Sequence, residues 1–124
     1  MRSLTALAGP PAAGKSYITS ALCDEINALD TNSAVVLPMD GYHLDDALLD
    51  SLGSHDRKGA PHTFDIDGFT HMLRRVSLAG KTDIAVPVFD RRLELSRAAA
   101  RLIHGTARHS LVEGNYLLPN QQGW

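Results

Sequence analysis

Four residues at fixed spacing carry the first chemical signal: Gly9, Gly14, Lys15 and Ser16, within the stretch GPPAAGKS. They satisfy G-x-x-x-x-G-K-[ST], the pattern of a phosphate-binding loop. Gly9 and Gly14 permit backbone angles that a Cβ resists, and they let main-chain N–H groups approach phosphate oxygens. Pro10, Pro11, Ala12 and Ala13 fill the loop, and Tyr17 follows it. Lys15 offers a compact positive charge to the outer phosphates, and the Ser16 hydroxyl suits Mg²⁺. Four constrained positions recur by chance in a chain this short on the order of a few times per thousand. A second Gly-Lys-Thr, at 80–82, lacks the leading glycine, which is Arg75 there, and reads as a helix end and a turn.

Two carboxylates carry the second signal. Asp40 closes the apolar stretch AVVLPMD and Glu113 closes HSLVEG, so both stand at the ends of predicted strands. Two carboxylates beside a phosphate loop repel it unless Mg²⁺ or a substrate proton offsets them. Phosphoryl transfer to a hydroxyl requires that combination. The plainer reading of Asp40 is a helix cap or turn residue.

These residues need a scaffold that brings them together. Ser3–Ala8 reads as a first buried strand and Lys15–Leu29 as a helix, with Ile18, Leu22, Ile26 and Leu29 spaced to pack on a sheet. Residues 34–40 read as a second strand, 44–52 as a short helix and 53–65 as a polar loop. Asp67 is expected to cap a helix over 68–79, with Phe69, Met72, Leu73 and Val76 buried and Gly80 as its stop. Residues 83–90 read as extended, with Pro87 pushing them toward an edge. The stretch 92–103 is ambiguous, because Ala98–Ala100 favour a helix. His109–Gly114 reads as another strand. Alternating strands and helices predict an α/β fold with a parallel sheet, whose ligands bind beyond the carboxyl ends of the strands.

Composition narrows the classes. The 124 residues suffice for a single domain with a core, and 44% hydrophobic with 21% charged residues fits a folded soluble chain. The net charge of −2 gives no global case for nucleic acid or an anionic membrane as partner. A single cysteine, Cys23, forbids an internal disulfide and fits a reducing, cytoplasmic setting. No apolar run is long enough to span a bilayer, and the start runs straight into the loop motif, which argues against a signal peptide. The six histidines show no zinc-ligand spacing.

Four further stretches stand in order after the loop: PMDGYHLDD, RKGAPHTFD, VPVFDR and VEGNYLL. With it they resemble the P-loop small-molecule kinases related to uridine kinase, pantothenate kinase and phosphoribulokinase. The nearest subgroup is the nucleoside/nucleotide kinase-like proteins that carry the label fructose transport system kinase. The resemblance runs over nearly the whole chain. It implies a three-layer P-loop NTPase sandwich, ATP and Mg²⁺ as cofactors, and a small-molecule acceptor. It implies that Asp40 is the base on the acceptor hydroxyl and that Glu113 lies near the metal with Ser16. His43, Arg57, Lys58, Asp90 and Arg91 stand where the family contacts its substrate, and 92–103 becomes a hairpin strand rather than a helix. Ala12 and Tyr17 depart from a glycine and a threonine common in the family.

The larger departure is length. The family continues with further strands, an arginine-bearing lid and an adenine-contacting loop, so the chain reads as the N-terminal part of such a fold, with sheet edges open to self-association. The function expected is phosphoryl transfer from ATP to a hydroxyl of a sugar, a nucleoside or a pantothenate-like alcohol. The alternatives are an inactive nucleotide-binding remnant and an ATP hydrolase.

Overall fold

The computed structural model describes residues 2–8 and 14–114. Three parallel strands form the main sheet: β1 (Ser3–Ala8), β2 (Ala34–Pro38) and β5 (His109–Gly114), in the order β1-β5-β2. The last strand in sequence therefore sits in the middle. Its register sets Glu113 opposite Leu7 on one side and Pro38 on the other, so all three strands finish at one level. Strands β3 (Ile84–Asp90) and β4 (Leu95–Ile103) form a separate antiparallel hairpin.

Helix α1 (Lys15–Leu29) links β1 to β2, and α3 (Ile66–Leu78) precedes the hairpin. The short α2 (Asp46–Ser51) and three single 3₁₀ turns lie between β2 and α3. The core gathers on one face of the sheet: Leu37 and Val112 from the strands, Phe69 and Val76 from α3, and Ile84, Val86 and Ile103 from the hairpin are all buried. Each such side chain contributes roughly 1.5–3 kcal/mol when fully buried. None of the helices among the described residues is long and apolar enough to cross a membrane.

Three expectations are corrected. The helix expected to be capped by Asp67 starts earlier: Asp65 is the cap, accepting from the Gly68 N–H at 2.9 Å, and Asp67 lies inside the first turn. The second strand stops at Pro38, and Asp40 rides on the 3₁₀ turn Met39–Tyr42 instead of on the strand. The apolar stripe of α1 is not buried as its spacing implies, since Ile18 is 54% and Leu29 90% exposed, and Thr19 is its fully buried residue.

The ambiguity over 92–103 resolves as the resemblance implies: Ala98–Ala100 lie in β4 of the hairpin, against their helical propensity. The register explains their irregularity. Val86 pairs with Arg101 and Val88 with Arg97, so one residue of β3, Pro87, faces three of β4. Proline has no N–H to give the ladder. The excess chain bulges, and Ala99 takes φ +49°.

Candidate active site

The phosphate side is built at the start of α1. Gly14 has φ +84°, a left-handed conformation that favours glycine, and its carbonyl accepts the Ile18 N–H at 3.1 Å. Lys15 and Ser16 thus occupy the first helical turn, where N–H groups without helical partners and the positive dipole end face an anion. The Thr19 hydroxyl donates to the Lys15 carbonyl at 2.6 Å and anchors that turn in the interior. Gly9, Pro10, Pro11, Ala12 and Ala13 lie outside the described residues. Tyr17 is exposed.

The end of β5 meets this turn directly. The Ser16 hydroxyl donates to Glu113 Oε1 at 2.5 Å, joining residues 97 positions apart. A hydroxyl and a carboxylate in contact at the start of α1 are hard oxygen donors of the kind Mg²⁺ takes. The described residues hold no cluster of three or more histidine, cysteine or acidic side chains that would form an all-protein cage.

Facing Ser16 and Glu113, Asp40 and Arg91 are carried by the turn after β2 and by the hairpin. Met39 is buried and fixes the 3₁₀ turn. Gly41 then passes so near β3 that a Cβ there would sit 3.0 Å from the Pro87 carbonyl oxygen. The contact holds the turn on the hairpin and leaves Asp40 half-exposed at the mouth of a cleft. Arg91, at the hairpin turn, brings its Nη2 to 3.7 Å from Asp40 Oδ2. The cleft, of about 280 Å³, is lined by Ser16, Asp40, Arg91, Arg101 and Glu113, with Pro38, Gly41, Pro87, Val88 and Phe89 as its apolar wall.

The other residues singled out in the sequence stand behind this cleft. The His43 ring packs between Phe64 and Phe89, at centroid distances of 4.2 and 4.7 Å, and its Nδ1 lies 2.9 Å from the Asp40 carbonyl oxygen. It braces the turn that carries Asp40. Asp90 accepts the N–H groups of Arg92 and Leu93 at 3.0 Å and so shapes the turn that presents Arg91. Lys58 donates to Asp46 at 2.7 Å and Glu94 at 3.0 Å, with its ammonium 5.3 Å from the Phe89 centroid. Burial alone would lower the Lys58 pKa, but its hydrogen bonds to Asp46 and Glu94 raise it. The same bond from Lys58 holds the Asp46 carboxyl below its ordinary range. Arg57 is exposed on the turn His55–Arg57 and does not line the cleft.

Arg101 escaped the sequence reading. It sits in a stretch that composition leaves ambiguous, and only the pairing of Pro87 against a bulge shows which way β4 faces. A larger cavity, about 840 Å³, opens at the opposite end of the strands beside Arg2, Lys81, Asp83 and Arg108. Size alone would favour it, but Ser16 at the start of α1 and the carboxylates of Asp40 and Glu113 converge on the smaller cleft.

No protein-family model matches the chain. The chain is 36% identical over 129 residues to the Escherichia coli (strain K12) protein YggC, a match covering 99% of this chain and 50% of that protein. It is 30% identical over 128 residues to "Putative uridine kinase C227.14" of Schizosaccharomyces pombe, covering 99% and 54%. Among solved structures, a "putative fructose transport system kinase" from Silicibacter sp. TM1040 superposes with a TM-score of 0.91 at 39% identity, over 99% of this chain and 58% of that one. The chain spans about half the length of the curated relatives it matches. In sequence along nearly its whole length, and in an α/β fold whose strand ends carry the N-terminus of α1 and Glu113, the chain is similar to relatives named as kinases and to solved P-loop kinases.

Proposed function

We propose that this protein is an ATP-dependent kinase that transfers the γ-phosphoryl group to a hydroxyl of a small metabolite. The observation that carries the reading is a single cleft with Ser16 and Glu113 in contact at one side and Asp40 at the other. A hydrolase needs only the first side, because water requires no acceptor wall.

In this reading the loop amides and Lys15 hold the phosphates. Ser16 and Glu113 hold Mg²⁺, which when bound neutralises charge on the phosphate oxygens. Asp40 orients the acceptor hydroxyl and takes its proton. The acceptor oxygen–phosphorus bond forms as the bond from phosphorus to the β–γ bridging oxygen breaks, and ADP leaves. Arg91, with its Nη2 3.7 Å from Asp40 Oδ2, orients that carboxylate at the mouth of the cleft. His43 and Asp90 are positioning residues. ATP and a small acceptor are the partners, and the need for ATP suits a cytoplasmic location. Self-association through the edge of β1 belongs to the same proposal, and mass in solution reads it directly.

The test supplies ATP labelled in its γ-phosphate, with and without sugars, nucleosides and pantothenate. Acceptor-dependent transfer of label supports the kinase. Release of phosphate at the same rate without any acceptor makes the protein a hydrolase, and binding with neither outcome makes it a nucleotide-binding module.

A further inference from the structure

The charges of the cleft do not balance once the kinase roles are assigned. Glu113 is matched by the metal and Asp40 by Arg91. Arg101 is left over. Its Nη2 donates to the Val36 carbonyl oxygen at 2.5 Å, its Nε is buried with no hydrogen-bond partner, and it forms no ion pair among the described residues. Its surroundings desolvate it enough to push its pKa down, with only the distant Cys23 thiol opposing the shift. A guanidinium taken out of water without an anion is costly, and protein interiors normally pair one. This one is also placed with some effort: the bulge opposite Pro87, with Ala99 at φ +49°, sets the facing of β4 from which Arg101 reaches the cleft.

We propose that Arg101 is the specificity-determining residue of the acceptor side, and that the natural acceptor carries an anionic group, carboxylate or phosphate, in addition to the hydroxyl presented to Asp40. This rests on the kinase reading above. The bond to Val36 uses Nη2 and fixes the guanidinium in the cleft lining, where its charge faces an oxyanion entering the cleft. The same chemistry could serve the γ-phosphate of ATP, so the experiment separates the two sources.

Matched acceptors are compared: glycerol with glycerol phosphate and glycerate, and glucose with glucose phosphate and gluconate. The proposal expects the anionic members to be preferred in kcat/KM by about 10- to 100-fold, the range of one charge-assisted contact. Arg101→Gln should collapse that ratio toward one, mainly by raising the acceptor KM, while the KM for ATP moves far less. Arg101→Lys keeps the charge, so it should recover part of the preference and guards against a variant that merely misfolds.

A second arm needs no turnover. Calorimetry on protein loaded with Mg²⁺ and a non-hydrolysable ATP analogue should show the anionic members binding and the neutral ones binding more weakly. Equal kcat/KM for neutral and anionic acceptors, an Arg101→Gln defect confined to the ATP KM, or no anion binding to the loaded protein overturns the inference. Anion binding that Arg101→Gln abolishes, without transfer to any acceptor, keeps Arg101 as an anion site but overturns the kinase reading and with it the acceptor role proposed for Arg101.

Discussion

The two sides of the cleft are made by different means. On the phosphate side, Gly14, Lys15 and Ser16 are consecutive, and local backbone geometry does most of the positioning: one left-handed glycine, one helical turn and one buried threonine. On the acceptor side, Asp40, Arg91 and Arg101 come from a 3₁₀ turn, a hairpin tip and a strand across a bulge. Their positions depend on contacts between elements, such as Gly41 against Pro87 and His43 between two phenylalanines. A side built locally tolerates damage elsewhere in the molecule. A side built from three elements moves when any one of them loosens.

The sharpest break on the phosphate side is Lys15→Ala. Removing a charge-assisted contact to phosphate should cost roughly 2 kcal/mol of Mg-ATP affinity. Calorimetry reads this as a dissociation constant weaker by about 30-fold, with the melting temperature little changed. Unchanged affinity would remove the basis for the phosphate side.

A smaller break falls on the acceptor side alone. Lys58 ties α2 to the turn after β3 through Asp46 and Glu94. Lys58→Met should lower the melting temperature by a few degrees and raise the acceptor KM, while ATP affinity holds. The sign of its pH dependence follows from the paired carboxyl. The folded pKa of Asp46 is depressed, so its stabilisation is present above the unfolded value of about 3.9. It disappears as pH falls through the folded value. The gap between wild type and Lys58→Met should therefore close on acidification below about pH 4. A gap that widened in acid would mean that Lys58 acts through something other than these carboxylates.

The difference between the sides also decides what could be read from sequence. Helix α1, the parallel strands and the place of Glu113 at the end of β5 were legible, because each is a local pattern or follows directly from one. Asp40 was legible as a carboxylate near a strand end, but its seat on a 3₁₀ turn was not, since Gly41 gives no sign of how near Pro87 lies. The face that Arg101 presents was hidden because Ala98–Ala100 favour a helix, and only pairing with β3 overrides that. The exposed stripe of α1 shows the converse error: Ile18, Leu22 and Leu29 have helical spacing, yet the spacing does not say whether a neighbour covers them.

The finest break lies in the bulge. Ala99 holds φ +49°, which costs an alanine about 1–2 kcal/mol, while a glycine there loses roughly 0.5–1 kcal/mol in chain entropy. Ala99→Gly should therefore be neutral or stabilising by up to about 1 kcal/mol, and Ala98→Gly should be destabilising. Denaturant midpoints for the pair decide it. Equal losses in both would show that the bulge does not hold the strain assigned to it.

The central claim is that one cleft binds the nucleotide on one side and activates a hydroxyl on the other, with separable residues. Asp40→Asn tests it most directly, measured at once for turnover with an acceptor and for Mg-ATP affinity by calorimetry. The account predicts a loss of turnover of about 10²-fold or more, with ATP affinity within about twofold of wild type. Loss of ATP binding with turnover per bound nucleotide preserved would contradict it, because Asp40 would then belong to the phosphate side and the cleft would have no base.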